Sequence, residues 1–169
     1  MHTPNEGAVL AAADAIIQAF AATDTEAYFA GFSDDAAFVF HPEAARLNSR
    51  ADYEALWADW LGAGWRVTSC ESSDRLVQVF PGGAVFSHTV ATSIDSAAGP
   101  DSYVERESIV FSVDESGRLV AIHEHLSPVP DPVAPAAAAP AAAAPAAAAP
   151  AAAAPAAAAP APAESEDAS

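Results

Sequence analysis

Residues 65–127 read WRVTSCESSDRLVQVFPGGAVFSHTVATSIDSAAGPDSYVERESIVFSVDESGRLVAIHEHLS, and this stretch decides the fold. β-Branched and aromatic residues recur through it. Turn residues punctuate it at Pro81-Gly82-Gly83, Gly99-Pro100-Asp101 and Asp114-Glu115-Ser116-Gly117. Runs bounded in this way read as strands, and such turns join neighbours as hairpins. The expected strands span 65–80, 84–96, 103–113 and 119–127, an antiparallel meander.

Upstream, the pattern changes to helical. Thr3-Pro4-Asn5-Glu6 opens a helix with Thr3 as cap, Pro4 at the first helical position and Glu6 bonding back. Val9, Ala12, Ala13, Ile16, Ile17 and Phe20 follow at helical spacing, carrying the helix to about Ala22. Thr23-Asp24-Thr25-Glu26 starts a short helix with Tyr28 and Phe29, ended by Gly31. Residues 37–41 read as a strand stopped by Pro42. Ser49 caps a third helix over 50–63, with Tyr53, Leu56, Trp57, Trp60 and Leu61 on one broad face. Helices first and strands later indicate an α+β domain, its helices packed on one face of the sheet.

This element order resembles the nuclear transport factor 2-like superfamily, a cone-shaped fold in which a curved sheet wraps helices around a pocket. Gly117-Arg118-Leu119-Val120-Ala121-Ile122-His123-Glu124-His125-Leu126-Ser127 resembles the closing strand of SnoaL-like domains and of the calcium/calmodulin-dependent kinase association domain. Leu119 stands where Trp is usual there. Ala37-Phe38-Val39-Phe40-His41-Pro42, Arg50 and the Trp57/Trp60 helix also resemble SnoaL-like members. The resemblance covers about residues 3–127. It implies a small-molecule pocket, a dimer formed through the sheet, and no required metal or cofactor.

Strand parity groups the candidate site residues. Leu119, Ala121, His123, His125 and Ser127 share one face of the last strand, with Val120, Ile122, Glu124 and Leu126 on the other. Phe86, His88, Val90 and Ile94 share a face of their strand. Val104, Arg106, Ser108 and Val110 oppose Tyr103, Glu105, Glu107, Ile109 and Phe111. Parity alone leaves open which face is inner.

His88, His123, His125 and Arg106 are the catalytic candidates. Histidines in an apolar pocket titrate near neutral pH and suit general acid/base work on a carbonyl compound, and Arg106 suits a carboxylate. The resemblance points to isomerase, dehydratase or cyclase-like chemistry; two His with Tyr28 or Tyr53 come closest to the dehydratase type. His41, Trp57, Trp60, Tyr28, Phe20 and Tyr53 are the candidate lining. Two other readings stand beside this one. His123 and His125, two residues apart on one strand, have ligand-like spacing and with His88 or His41 would complete a three-His metal site. Alternatively, the His residues are satisfied by hydrogen bonds across the sheet, Trp57, Trp60 and Trp65 are core, and Glu105 and Glu107 form a solvated or interfacial charge row. Cys70, the one cysteine, reads as an inert thiol and supports no internal disulfide.

Composition bounds the partners. Six Arg, no Lys and 23 acids give a net charge of −17, which argues against nucleic acid and anionic membrane. The first apolar stretch, 8–20, is interrupted by Asp14 and Gln18 and preceded by no Lys or Arg, so it suits neither a signal peptide nor a membrane span; a cytoplasmic location is the expectation. Residues 131–169 hold 24 Ala and 8 Pro, with Pro-Ala-Ala-Ala-Ala repeated from Pro135 to Pro160. Pro at every fifth position defeats the helix that Ala favours, so a disordered, partly extended tail is expected beyond a domain of residues 1–130. Two functions remain: a protein that binds or transforms a small, partly apolar carbonyl or carboxylate compound, and a non-catalytic association module.

Overall fold

The computed structural model describes residues 3–129; the Pro-Ala tail lies outside the described residues. The elements are α1 (Glu6–Ala21), α2 (Thr25–Phe29), β1 (Phe32–Phe40), α3 (Arg50–Gly62), β2 (Arg66–Phe80), β3 (Gly83–Asp95), β4 (Asp101–Val113) and β5 (Leu119–Pro128). The helices begin at side-chain caps. Asn5, not Thr3, caps α1, its Oδ1 accepting from the Ala8 amide at 2.8 Å. Asn places a short acceptor at the residue that immediately precedes the helix, which fixes the start two residues later than the Thr3 reading. Asp24 and Ser49 cap α2 and α3 by accepting from the amides of Ala27 and Asp52.

The sheet has five strands in the order β1-β5-β4-β3-β2. The expected antiparallel meander accounts for β2 to β5, and β1 adds a parallel edge beside β5, with Phe38 opposite Glu124 and Phe40 opposite Leu126. The sheet is curved and unclosed, with α1 against β2 and α3 against β1. Bulges bend it. In β5 the register slips between Ala121 and His123, so Ile122 is an extra residue facing no partner. In β2 it slips around Thr68 and again between Ser73 and Leu76.

The core is aromatic. Trp57 is fully buried, stacks on Tyr28 at 5.0 Å and donates from Nε1 to Thr25 Oγ1 at 2.9 Å. Phe29, Phe32, Phe38, Phe40 and Tyr53 close around this pair. Each such ring contributes on the order of 2–3 kcal/mol by leaving water. Beneath α1 the inner face of the sheet is apolar, with Ala84, Phe86, Ile109, Phe111 and Ala121 all buried. Among the described residues no helix is long and apolar enough to cross a membrane.

Candidate functional site

The inner face changes character along β3 and β4. Past Phe86 and Ile109 it turns polar: His88 on β3 sits opposite Glu107 on β4, and Val90 sits opposite Glu105. These carboxylates do not form a solvated row. Glu105, Glu107 and Glu124 are 7%, 8% and 2% exposed, and His88 is 3% exposed. The period-2 pattern accounts for two of them, because Glu105 and Glu107 share the face of Ile109 and Phe111. Glu124 arrives by the bulge. Ile122 takes up an extra position, so Ala121 and Glu124 both face inward, although parity puts them on opposite faces.

The same bulge sends His123 and His125 to the outer face. There they stand 6.4 Å apart, ring to ring, opposite Val110 and Ser108. Burial, then the charges of His125 and Arg46, hold His123 below the usual imidazole range. Arg106 is exposed on that outer face too, between Thr89 and Ser127. The catalytic candidates are therefore split by the sheet: His88 faces inward, the one-residue slip in β5 turns His123 and His125 outward, and plain alternation puts Arg106 on the face opposite Glu105 and Glu107. Among the described residues no three His, Cys, Asp or Glu side chains stand together as a metal-ion cage.

On the inside, a relay of hydrogen bonds crosses the cone. Ser72 Oγ lies 2.7 Å from His88 Nδ1, and His88 Nε2 bonds Glu107. Glu107 bonds Glu124, and Tyr28 donates its hydroxyl to Glu124 Oε2 at 3.2 Å. Tyr28 and Tyr53 join hydroxyls at 3.3 Å. Burial, and then the negative charge of Glu107, push the Glu124 carboxyl well above the usual carboxylate range. Burial thus favours the neutral form of the Glu124 carboxyl. Burial likewise holds the Tyr28 and Tyr53 phenols protonated.

Beside the relay stands a second pair. His41, just past β1, places Nε2 2.7 Å from Glu105 Oε1, with its side chain 31% exposed. Among the described residues Glu105 Oε2 has no protein partner. Burial raises the Glu105 carboxyl, the bond to His41 draws it down, and Glu107 raises it again. Tyr103 lies next along the same face of β4, its phenol raised by burial and then by Glu105. Cys70 of β2 is nearby, its thiol pushed up to about 11 by burial and then by Glu107.

Of the candidate residues, the structure brings His41, His88, Tyr28 and Tyr53 to the inner polar face or its hydrogen-bonded relay. Phe20, Trp57 and Trp60 belong to the aromatic cluster alongside, where Trp60 Nε1 is buried with no partner among the described residues. Ser72, Glu105, Glu107 and Glu124 join the site although the sequence pattern does not single them out for it. Two depressions, of about 480 and 280 Å³, lie elsewhere: one between the start of α1 and the Gly117 turn, one over the outer face near Ser93 and Val104.

A helix-filled, curved and unclosed five-stranded sheet is the nuclear transport factor 2-like fold. A protein of that fold from Cytophaga hutchinsonii matches at a TM-score of 0.64 and 15% identity, over 75% of this chain and all (100%) of that one. The S. rosetta CaMKII hub matches at 0.61 and 19%, over 75% and 99%. A Catenulispora acidiphila protein in complex with S-DNPA matches at 0.60 and 11%, over 71% and 90%. Within this fold the chain belongs to the SnoaL-like domain family, which it matches over residues 9–132. No curated protein matches the sequence.

Proposed function

We propose that this SnoaL-like domain binds a small, partly apolar carbonyl compound on its concave face and moves a proton on it by general acid/base chemistry. The observation that carries the reading is the His41–Glu105 pair: a buried carboxyl with a raised pKa, one oxygen held by an imidazole and the other free. Such tuning suits a base that must work near neutral pH. In this mechanism Glu105 Oε2 takes a proton from the carbon beside the carbonyl, and His41 Nε2–H keeps the other oxygen in place. The protonated Glu124 and Tyr28 hold the acidic interior together behind it. The substrate is neutral. Three carboxyl groups face inward and the one cation expected to hold a carboxylate, Arg106, faces outward, so the carbonyl half of the expectation stands and the carboxylate half lacks its receptor.

The test is deuterium uptake from D2O into a neutral β,γ-unsaturated cyclic ketone, followed by NMR. Wild-type protein should accelerate uptake, and Glu105→Gln should reduce the rate by on the order of 100-fold. Uptake at the buffer rate with wild-type protein would refute the reading.

Self-association through the outer sheet face is a second reading, compatible with the first. Leu76 and Val104 on that face are 55% and 45% exposed, and Ile122 at the β5 bulge is 38% exposed. Unpartnered apolar residues on one face suit a second copy. Sedimentation of wild-type protein as a dimer, and of Val104→Glu as a monomer, would bear this out; a wild-type monomer at micromolar concentration would remove it.

A further inference from the structure

Ser72, His88 and Glu107 have the connectivity of a nucleophile, a base and an orienting acid. Ser72 projects from β2 toward His88 across the β2–β3 pair, with Oγ 2.7 Å from Nδ1, and the other ring nitrogen bonds the Glu107 carboxyl. In the triad His88 is the neutral imidazole: with Nε2–H directed at the Glu107 carboxylate, which only accepts, Nδ1 is left as an acceptor. The Ser72 hydroxyl then donates to Nδ1, which is the polarity of an activated nucleophile. Exposure is distributed to match. His88 is 3% exposed and shielded from competing water, whereas Ser72 is only half-buried. Next to Ser72 the β2 register breaks, and Asp74 takes a left-handed backbone with φ 50°. Such bulges re-aim side chains on an edge strand.

We infer that Ser72, His88 and Glu107 form a nucleophilic triad that cleaves a small neutral ester. Ser72 Oγ forms a bond to the ester carbonyl carbon, the π pair moves to the carbonyl oxygen, and the hydroxyl proton passes to His88 Nδ1. Collapse breaks the bond to the leaving oxygen, which departs as the alcohol with that proton. Water then attacks the acyl-serine by the same route, releasing the acid and restoring Ser72. Glu107 is a positioning residue that holds Nε2–H throughout. The ester is neutral because Glu105 lies two residues along the same face and repels an anionic acyl group. This activity shares with the proton-transfer reading only the need for a small molecule to reach the concave face.

The experiment is reaction of the full chain with diisopropyl fluorophosphate, read by intact mass and peptide mapping, alongside a p-nitrophenyl acetate burst. We expect one adduct per chain on Ser72 and a burst of p-nitrophenol equal to the protein concentration. Both should disappear in Ser72→Ala, and labelling should slow by at least about 100-fold in His88→Gln. If His88→Gln does not fold, Ser72→Ala, which removes one half-buried oxygen, carries the test. The role of Glu107 is read from the far-downfield NMR proton of His88 Nε2–H, present in wild type and lost in Glu107→Gln together with fast labelling. An adduct elsewhere than Ser72, or none, overturns the triad. Protein that exchanges deuterium into the ketone but takes no label on Ser72 keeps the proton-transfer reading and loses this one; the reverse result does the opposite.

Discussion

Replacing Glu124 by Gln keeps the shape of a buried side chain and removes its titration. The carboxamide nitrogen can donate to Glu107, as the protonated carboxyl does, and the amide oxygen can accept from Tyr28. In the wild type, burial and the Glu107 charge hold the folded-state pKa of Glu124 well above its ordinary 4.5. Above that ordinary value the unfolded chain has released the proton and the folded chain has not. The folded state then binds more protons, so stability falls as pH rises, by about 1.4 kcal/mol per pH unit for one such group, until the folded pKa is reached. Glu124→Gln should abolish that slope. Relative to wild type, it should gain about 1.4 kcal/mol for each pH unit between the ordinary and the folded pKa, or close to 4 °C in Tm per kcal/mol for a domain of this size. Glu105, raised in the same direction, is present in both proteins and cancels in the difference. Urea titrations of both proteins at half-unit steps from pH 5.5 to 7.5 measure it. Parallel stability curves would refute the reasoning, because they would mean that Glu124 folds in already ionised.

Three other outcomes are expected. Tyr28→Phe deletes the hydroxyl that Glu124 and Tyr53 share, 3.2 and 3.3 Å away, and should cost about 1–3 kcal/mol in urea melts, since a buried acceptor loses its donor. Gly83→Ala would set a Cβ 2.3 Å from the Phe111 carbonyl oxygen and 2.9 Å from the Phe80 ring, so it should lose roughly 2 kcal/mol or more, read as a lowered Tm. Cys70, its thiol pushed up to about 11 from an ordinary 9.0, should react with a disulfide reagent at pH 8 about 100-fold more slowly than a free thiol, and should accelerate steeply above about pH 10.

The fold was legible because each signal was local and repeated. Asp24 and Ser49 announced their helices, and Gly82-Gly83 and Ser116-Gly117 announced hairpins that the structure contains. What fixed the site was not local. Whether Glu105 or Arg106 faces the helices depends on the partner face, and parity separates the two without ranking them. Ile109 and Phe111, on the side of Glu105, were the available signal: apolar residues that must be buried take their strand neighbours in with them. Glu124 and His125 carried no such signal. Ile122 is an ordinary apolar strand residue, and nothing in the alternation marks it as the bulge that reverses the last strand. Ser72 was hidden for the same reason, since β2 slips register on both sides of it.

The position of β5 bears on how the chain reaches this structure. It is the last strand in sequence and yet lies inside the sheet, bonded to β4 on one side and, in parallel, to β1 on the other. Phe32 meets Ala121 and Phe40 meets Leu126 only after most of the domain has been laid down. Until β5 inserts, β1 and β4 each present an open hydrogen-bonding edge, and neither Glu107 nor Tyr28 has Glu124 to bond. Closing so long a loop is slow, and the waiting edges are where two unfinished copies would stick together. Folding rate and solubility during synthesis therefore hang on a strand of ten residues, Leu119–Pro128, far more than on the helices that bury the larger rings.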